Sequence, residues 1–76
     1  MDLVLSLNST ERWVIEIKHA EAPKLTRGFH EACRDLDPTR RFVVYPGKDR
    51  FPLTSETYAI SLQELCRLLA NWQNRN

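Results

Sequence analysis

Two alternating stretches that flank Asn8-Ser9-Thr10 constrain this chain more than any other feature of its sequence. In the first, Leu3, Leu5 and Leu7 share one face of an extended segment, and Asp2, Val4 and Ser6 the other. In the second, from Arg12 to Lys18, Trp13, Ile15 and Ile17 oppose Val14, Glu16 and Lys18. Asn, Ser and Thr between them are turn formers, so the pair reads as a β-hairpin. Its register follows from parity, because a slip of one residue sends every side chain to the opposite face. Pairing Leu5 with Trp13 and Leu3 with Ile15 joins the apolar faces; the same register sets Val4 opposite Val14 and Asp2 opposite Glu16. Directly opposed Cβ atoms lie ~4.5–5.5 Å apart, where two carboxylates repel unless a cation sits between them. Ordinary folding does not ask for such a pair.

After Lys18 the period changes. Leu25, Phe29, Cys33 and Leu36, with Ala32 beside them, fall on one helical face, which predicts a helix from Pro23 to Leu36 ended by Asp37-Pro38. Gly28 inside it costs about 1 kcal/mol relative to Ala, so it is expected to allow a close approach to the sheet or to something outside the domain, with close packing on the sheet the preferred reading. Phe42-Val43-Val44-Tyr45 is a continuous apolar run of the kind found in a strand covered on both faces. A strand, a helix and a buried strand make a crossover unit, so this run is expected parallel to the Trp13–Lys18 strand. Pro46-Gly47 closes it, and a polar loop through Lys48, Asp49 and Arg50 leads to a short strand near Tyr58-Ala59-Ile60. Ser61-Leu62-Gln63-Glu64 is a capping box with Ile60 and Leu65 at staple spacing, which starts a last helix at Leu62. Leu62, Leu65, Cys66 and Leu69 are its expected buried face, with fraying from Asn71 to Asn76 and Trp72 folded back on the body. The expected whole is an α/β fold with a mixed four-stranded sheet and two helices, in the order β-β-α-β-β-α.

Seventy-six residues, 42% of them hydrophobic, make one small domain whose stability is modest unless something outside the chain assists it. The longest apolar run has four residues, against ~20 for a membrane-spanning helix. Asp2 and the lack of a basic leader argue against a signal peptide. Net charge is +1, yet residues 24–50 hold seven basic and four acidic side chains, a mild basic bias in the middle. Cys33 and Cys66 stand far apart with no ligand spacing around them, which indicates neither a disulfide framework nor a zinc site and fits a reducing, cytoplasmic setting.

An acidic residue on one hairpin strand, Glu16-Ile17-Lys18 on the next, then a helix and a parallel strand: this order resembles the Asp…Glu-x-Lys core of the PD-(D/E)XK nuclease-like superfamily. Asp2-Leu3-Val4-Leu5, Trp13-Val14-Ile15-Glu16-Ile17-Lys18, Lys24-Leu25-Thr26-Arg27-Gly28-Phe29 and Phe42-Val43-Val44-Tyr45-Pro46-Gly47 together resemble the nuclease-like domain at the C-terminus of bacterial and archaeal AAA-type ATPases. The likeness covers nearly the whole chain. It implies a restriction-endonuclease-like sheet and a site in which Asp2, Glu16 and the backbone carbonyl of Ile17 hold Mg²⁺ or Mn²⁺. Lys18 would then orient the attacking water or neutralise phosphate charge. A hard cation takes oxygen ligands and keeps several waters, so it would also relieve the repulsion between Asp2 and Glu16. The resemblance further implies that residues 1–76 are the C-terminal piece of a larger ATPase, whose remainder is the partner. Superfamily members usually place a helix before the first strand, often with a further Glu for the metal, and this chain begins one residue before Asp2. No Walker-type loop occurs, so no ATP is expected on this chain.

The same residues carry plainer readings. Glu16 and Lys18 make an exposed ion pair on a solvent face in one of them, and Lys24, Arg27, Lys48 and Arg50 serve either as phosphate contacts or as solubilising charge. His19 and His30 read as core or rim histidines, and both cysteines as small buried hydrophobes. Three functions stay open: a metal-dependent phosphodiesterase acting on DNA, a nuclease-like fold that binds nucleic acid without cutting it, and a structural module packed against the rest of an ATPase. For the isolated chain the third ranks above the first. An open sheet edge is also a place for dimerisation.

Overall fold

The computed structural model describes residues 2–75, and of Asp2 and Arg75 the backbone only. Its elements are β1 (Asp2–Ser6), β2 (Arg12–Ile17), α1 (Arg27–Leu36), β3 (Arg40–Val44), β4 (Phe51–Pro52), β5 (Thr57–Ile60) and α2 (Leu62–Arg75). The hairpin has the register that parity dictates, Asp2 opposite Glu16 and Leu5 opposite Trp13. Asn8 closes its turn by accepting the N–H groups of Thr10 and Glu11 on Oδ1, at 2.8 and 2.7 Å.

The sheet runs β1-β2-β3-β5-β4. β2, β3 and β5 are parallel, while β1 and β4 flank them antiparallel. Five strands replace the expected four. The additional one is β4, two residues long, and its Pro52 disguises it, because proline is a strand residue only at an edge. Thr54 turns β4 into β5 by accepting the N–H groups of Glu56 and Thr57 on its hydroxyl, both at 3.1 Å.

One helix covers each face. On the α2 side Trp13, Ile15, Phe42, Val44, Ile60 and Leu65 form a buried cluster. On the α1 side the cluster is smaller: Val14, Phe29, Cys33 and Val43. β2 and β3 therefore send alternate residues into two different cores, and this explains why Phe42–Val44 reads as an unbroken apolar run.

The helix ends depart from expectation in instructive ways. Residues 23–26 are not helical; Thr26 is the N-cap in an extended conformation, and α1 begins at Arg27. Its end agrees with the sequence: Asp37 adopts the left-handed conformation (φ 45°) and donates its N–H to the Cys33 carbonyl at 2.9 Å. Gly28 permits no close packing, since a Cβ built there meets nothing nearer than Thr26 Oγ1 at 4.0 Å. α2 starts at Leu62 as expected but continues to Arg75 without fraying at Asn71. Its inner stripe is Leu65, Leu68, Leu69 and Trp72, spaced i, i+3, i+4, i+7. That spacing rotates Leu62, 56% exposed, and Cys66, also exposed, away from the sheet. Cys33 is buried as expected, whereas His19 and His30 are exposed and belong to no core. No described helix is long and apolar enough to cross a membrane.

Candidate functional site

Three parallel strands end at one edge of the sheet, and antiparallel β1 begins there, so the topology gathers Asp2, Glu16, Lys18 and the start of α1 in one place. Backbone bonds from Lys18 N–H to Val44 O (2.8 Å) and from Tyr45 N–H to Ile60 O (3.1 Å) lace this edge together. The carboxyl edge of an open α/β sheet is the usual place for a ligand.

Glu16 dominates it. It shares the α1 face with Val14 and is only 5% exposed, so it is far from the solvent-facing ion pair of the plainer reading. A buried carboxylate needs partners. The Thr26 hydroxyl donates toward both oxygens, 3.2 Å to Oε1 and 3.1 Å to Oε2, and Lys18 Nζ lies 3.5 Å from Oε2. Thr26 Oγ1 in turn accepts the Phe29 N–H at 3.1 Å. A chain of polar contacts thus runs from the first turn of α1 through Thr26 to Glu16. The positive end of a helix dipole favours an anion, and α1 has no acidic residue in its own first turn, so Glu16 supplies that charge from the sheet. The cation required beside Glu16 is present as Lys18.

Among the described residues no group of three or more His, Cys, Asp or Glu could hold an ion, and both Glu16 oxygens contact Thr26. Asp2 stands opposite Glu16 by register, and its side chain lies outside the described residues. Ile17 ends β2 with its side chain against the α2-side cluster.

The four basic residues separate into two pairs. Lys24 and Arg27 flank the start of α1; both are exposed, and Arg27 Nε bonds Glu31 at 3.2 Å. Lys48 is exposed in the loop after β3. Arg50 instead lies over the Tyr58 ring at 4.7 Å and approaches Glu64 at 3.8 Å, which ties that loop to α2.

Two features escape sequence reasoning. Thr26 was hidden because three residues on stands Phe29, where a capping box would carry Glu or Gln. At the opposite edge, Glu11 accepts the Trp13 indole N–H at 2.7 Å and the Thr39 hydroxyl at 2.9 Å, with Arg40 Nε at 3.9 Å. The indole, then Thr39 and Arg40, hold the Glu11 carboxyl below its usual range against the opposing effect of burial. Thr39 is 28 positions from Glu11, so no local pattern announces the contact.

The profile of the family described as a domain of unknown function (DUF4143) matches residues 1–65. The chain belongs to that family. Uncharacterized proteins of Mycobacterium tuberculosis and Mycobacterium bovis are each 34% identical to it over 65 residues, which is 86% of this chain and 14% of the relative. The chain thus spans about one seventh of the length of these curated relatives. No solved structure matches it. The DUF4143 match contains β1 to β5, the Glu16–Thr26–Lys18 cluster and the first turn of α2; it stops at residue 65, before Cys66–Arg75.

Proposed function

We propose that this chain is the nuclease-like accessory domain of a longer AAA-type ATPase and that it works by packing and by contacting DNA, without cutting it. The observation that carries this reading is the use of Glu16: its carboxylate docks α1 onto β2 through Thr26, with Lys18 as counter-ion. Residues spent in this way build a scaffold. The open edge supports the packing role, for Leu3 and Val4 on the two faces of β1 are 40% and 44% exposed, and an apolar hollow of about 540 Å³ lined by Leu5, Leu7, Leu69 and Trp72 opens on the α2 side. Lys24, Arg27, Lys48 and Arg50 are the DNA contacts of the same proposal. Hydrogen exchange tests it in the mycobacterial relative. Amides of the strand matching β1 should exchange more slowly in the full-length protein than in the isolated matching segment; equal exchange, or protection that appears only when the segment dimerises, would overturn it.

The register favours a second reading. Asp2 is the register partner of Glu16 across the hairpin and Lys18 stands beside Glu16, the order of residues that a Mg²⁺- or Mn²⁺-dependent nuclease would use. It requires Glu16 to give up the Thr26 hydroxyl. Localised Mn²⁺ broadening of the Asp2, Glu16, Ile17 and Lys18 amide signals, with plasmid cleavage abolished by Glu16→Ala, would establish it, and absence of both would dismiss it.

A further inference from the structure

The peptide groups of β1 fix what kind of element can cover it. Lys18 N–H donates to Val44 O and Thr39 N–H to Arg12 O, both at 2.8 Å, so the even-numbered residues of β2 turn their peptide groups toward β3 and the odd-numbered ones toward β1. Across the hairpin the Leu7 N–H donates to Glu11 O at 2.8 Å, and the register continues that bonded pairing to Leu5 with Trp13 and Leu3 with Ile15. Asp2, Val4 and Ser6 therefore turn their N–H and C=O groups away from the sheet, spaced about 7 Å apart along its edge. Such a row of unpaired donors and acceptors is a template for one more strand.

The side chains point the same way. Leu3 lies on the α2 face of β1 and Val4 on the α1 face, and both are exposed. A helix laid on either face would cover one of them, miss the other and leave the outward peptide groups unpaired. An extended segment beside β1 reaches both faces with alternate residues and satisfies the backbone as well. On the α2 side its residues meet the apolar hollow walled by Leu5, Leu7 and Leu69. On the α1 side the row it would continue already holds Asp2 paired with Glu16, and Lys18 is one cation against those two acids, so a further cation fits there. Material for such a segment exists, since the matching stretch is 14% of each mycobacterial relative and most of that protein lies outside it.

We infer that β1 is completed by an added strand: an extended segment from elsewhere in the longer protein, with apolar residues opposite Leu3, Val4 and Leu5 and a Lys or Arg opposite Asp2. The inference rests on the packing role proposed above and names the form and the chemistry of what packs there.

Hydrogen exchange read residue by residue in the full-length mycobacterial relative tests it, with the hairpin's own bonds as internal reference. The amides matching Val4 and Ser6 should exchange within about tenfold of those matching Leu3 and Leu5. The substitution matching Val4→Pro removes an outward N–H and none of the hairpin's own bonds, so it should speed exchange at the Ser6 match about a hundredfold while the Leu3 and Leu5 matches stay slow. The wild-type comparison does not depend on that variant folding. Slow Leu3 and Leu5 matches beside freely exchanging Val4 and Ser6 matches would overturn the added strand and leave the packing role standing. Free exchange along all of β1 would overturn both. Protection of the Val4 and Ser6 matches that vanishes on dilution would make a second copy the occupant and would also overturn the inference.

Discussion

Both helices of this domain open on a hydroxyl, yet they obtain their negative charge from different places. Thr26 accepts the N–H of Phe29 at 3.1 Å, and Ser61 accepts that of Glu64 at 3.0 Å. In α2 the accompanying carboxylate is local: Glu64 belongs to the first turn, remains partly exposed, and reaches Arg67 at 2.7 Å and Arg50 at 3.8 Å. In α1 it is Glu16, ten residues earlier on a central strand and buried. The same electrostatic demand is met locally in one helix and by tertiary structure in the other. A local carboxylate helps the helix form, whereas a remote buried one also fixes where the helix sits on the sheet.

Substitutions can break this contrast. Glu16→Ala should have the largest effect, a loss of about 3 kcal/mol or more, because it strands Thr26 and Lys18 beside an apolar core. Urea denaturation measures it, and a loss as small as that of an exposed ion pair would show that burial of Glu16 does not matter. Next, Thr26→Ala should cost about 2 kcal/mol against about 1 for Ser61→Ala, since only the first removes a cap and also deprives a buried carboxylate of its donor. Equal losses would erase the difference between the two starts. Gly28→Ala should act in the opposite direction, raising stability by roughly 0.5–1 kcal/mol, because the position is helical, exposed and open to a Cβ. A loss there would mean that α1 approaches something through Gly28.

The smallest effect concerns acid. The Glu11 carboxyl is held below its usual range, so its folded form binds a proton less readily than its unfolded form. The stability this confers is fully present above the unfolded value and is lost as pH falls through the lower, folded one. Glu11→Gln should flatten that part of the stability–pH profile, and an unchanged acid limb would show that the Trp13 and Thr39 hydrogen bonds do not favour the ionised state.

The same contrast marks what the sequence could reveal. Hairpin register and the start of α2 follow from patterns within a few residues, the parallel placement of β3 follows from the order strand, helix, strand, and each is found as expected. The start of α1 is not legible: Thr26 looks like any loop threonine until β2 brings Glu16 against it. Glu16 and Lys18 were singled out by spacing, but the burial that turns them from a surface pair into a dock depends on α1 covering that face. β4 was invisible because two residues, one of them proline, carry no periodicity. The inner stripe of α2 is not legible either: Leu62 and Cys66 share the apolar spacing yet are exposed, because Leu65, Leu68, Leu69 and Trp72 pack on the sheet.

That short strand gives the sheet a direction. Leu53 N–H donates to Thr57 O at 2.8 Å, so the neighbouring Pro52–Tyr58 pair is one whose amide positions point away from the ladder. The nitrogen of Pro52 accordingly faces outward with no hydrogen to offer, and β4 is a terminus in the chemical sense, as a chain terminator is in polymerisation. β1 carries no such stop among its described residues. That leaves β1, next to the strand that holds Glu16, as the sheet edge whose described residues include no proline.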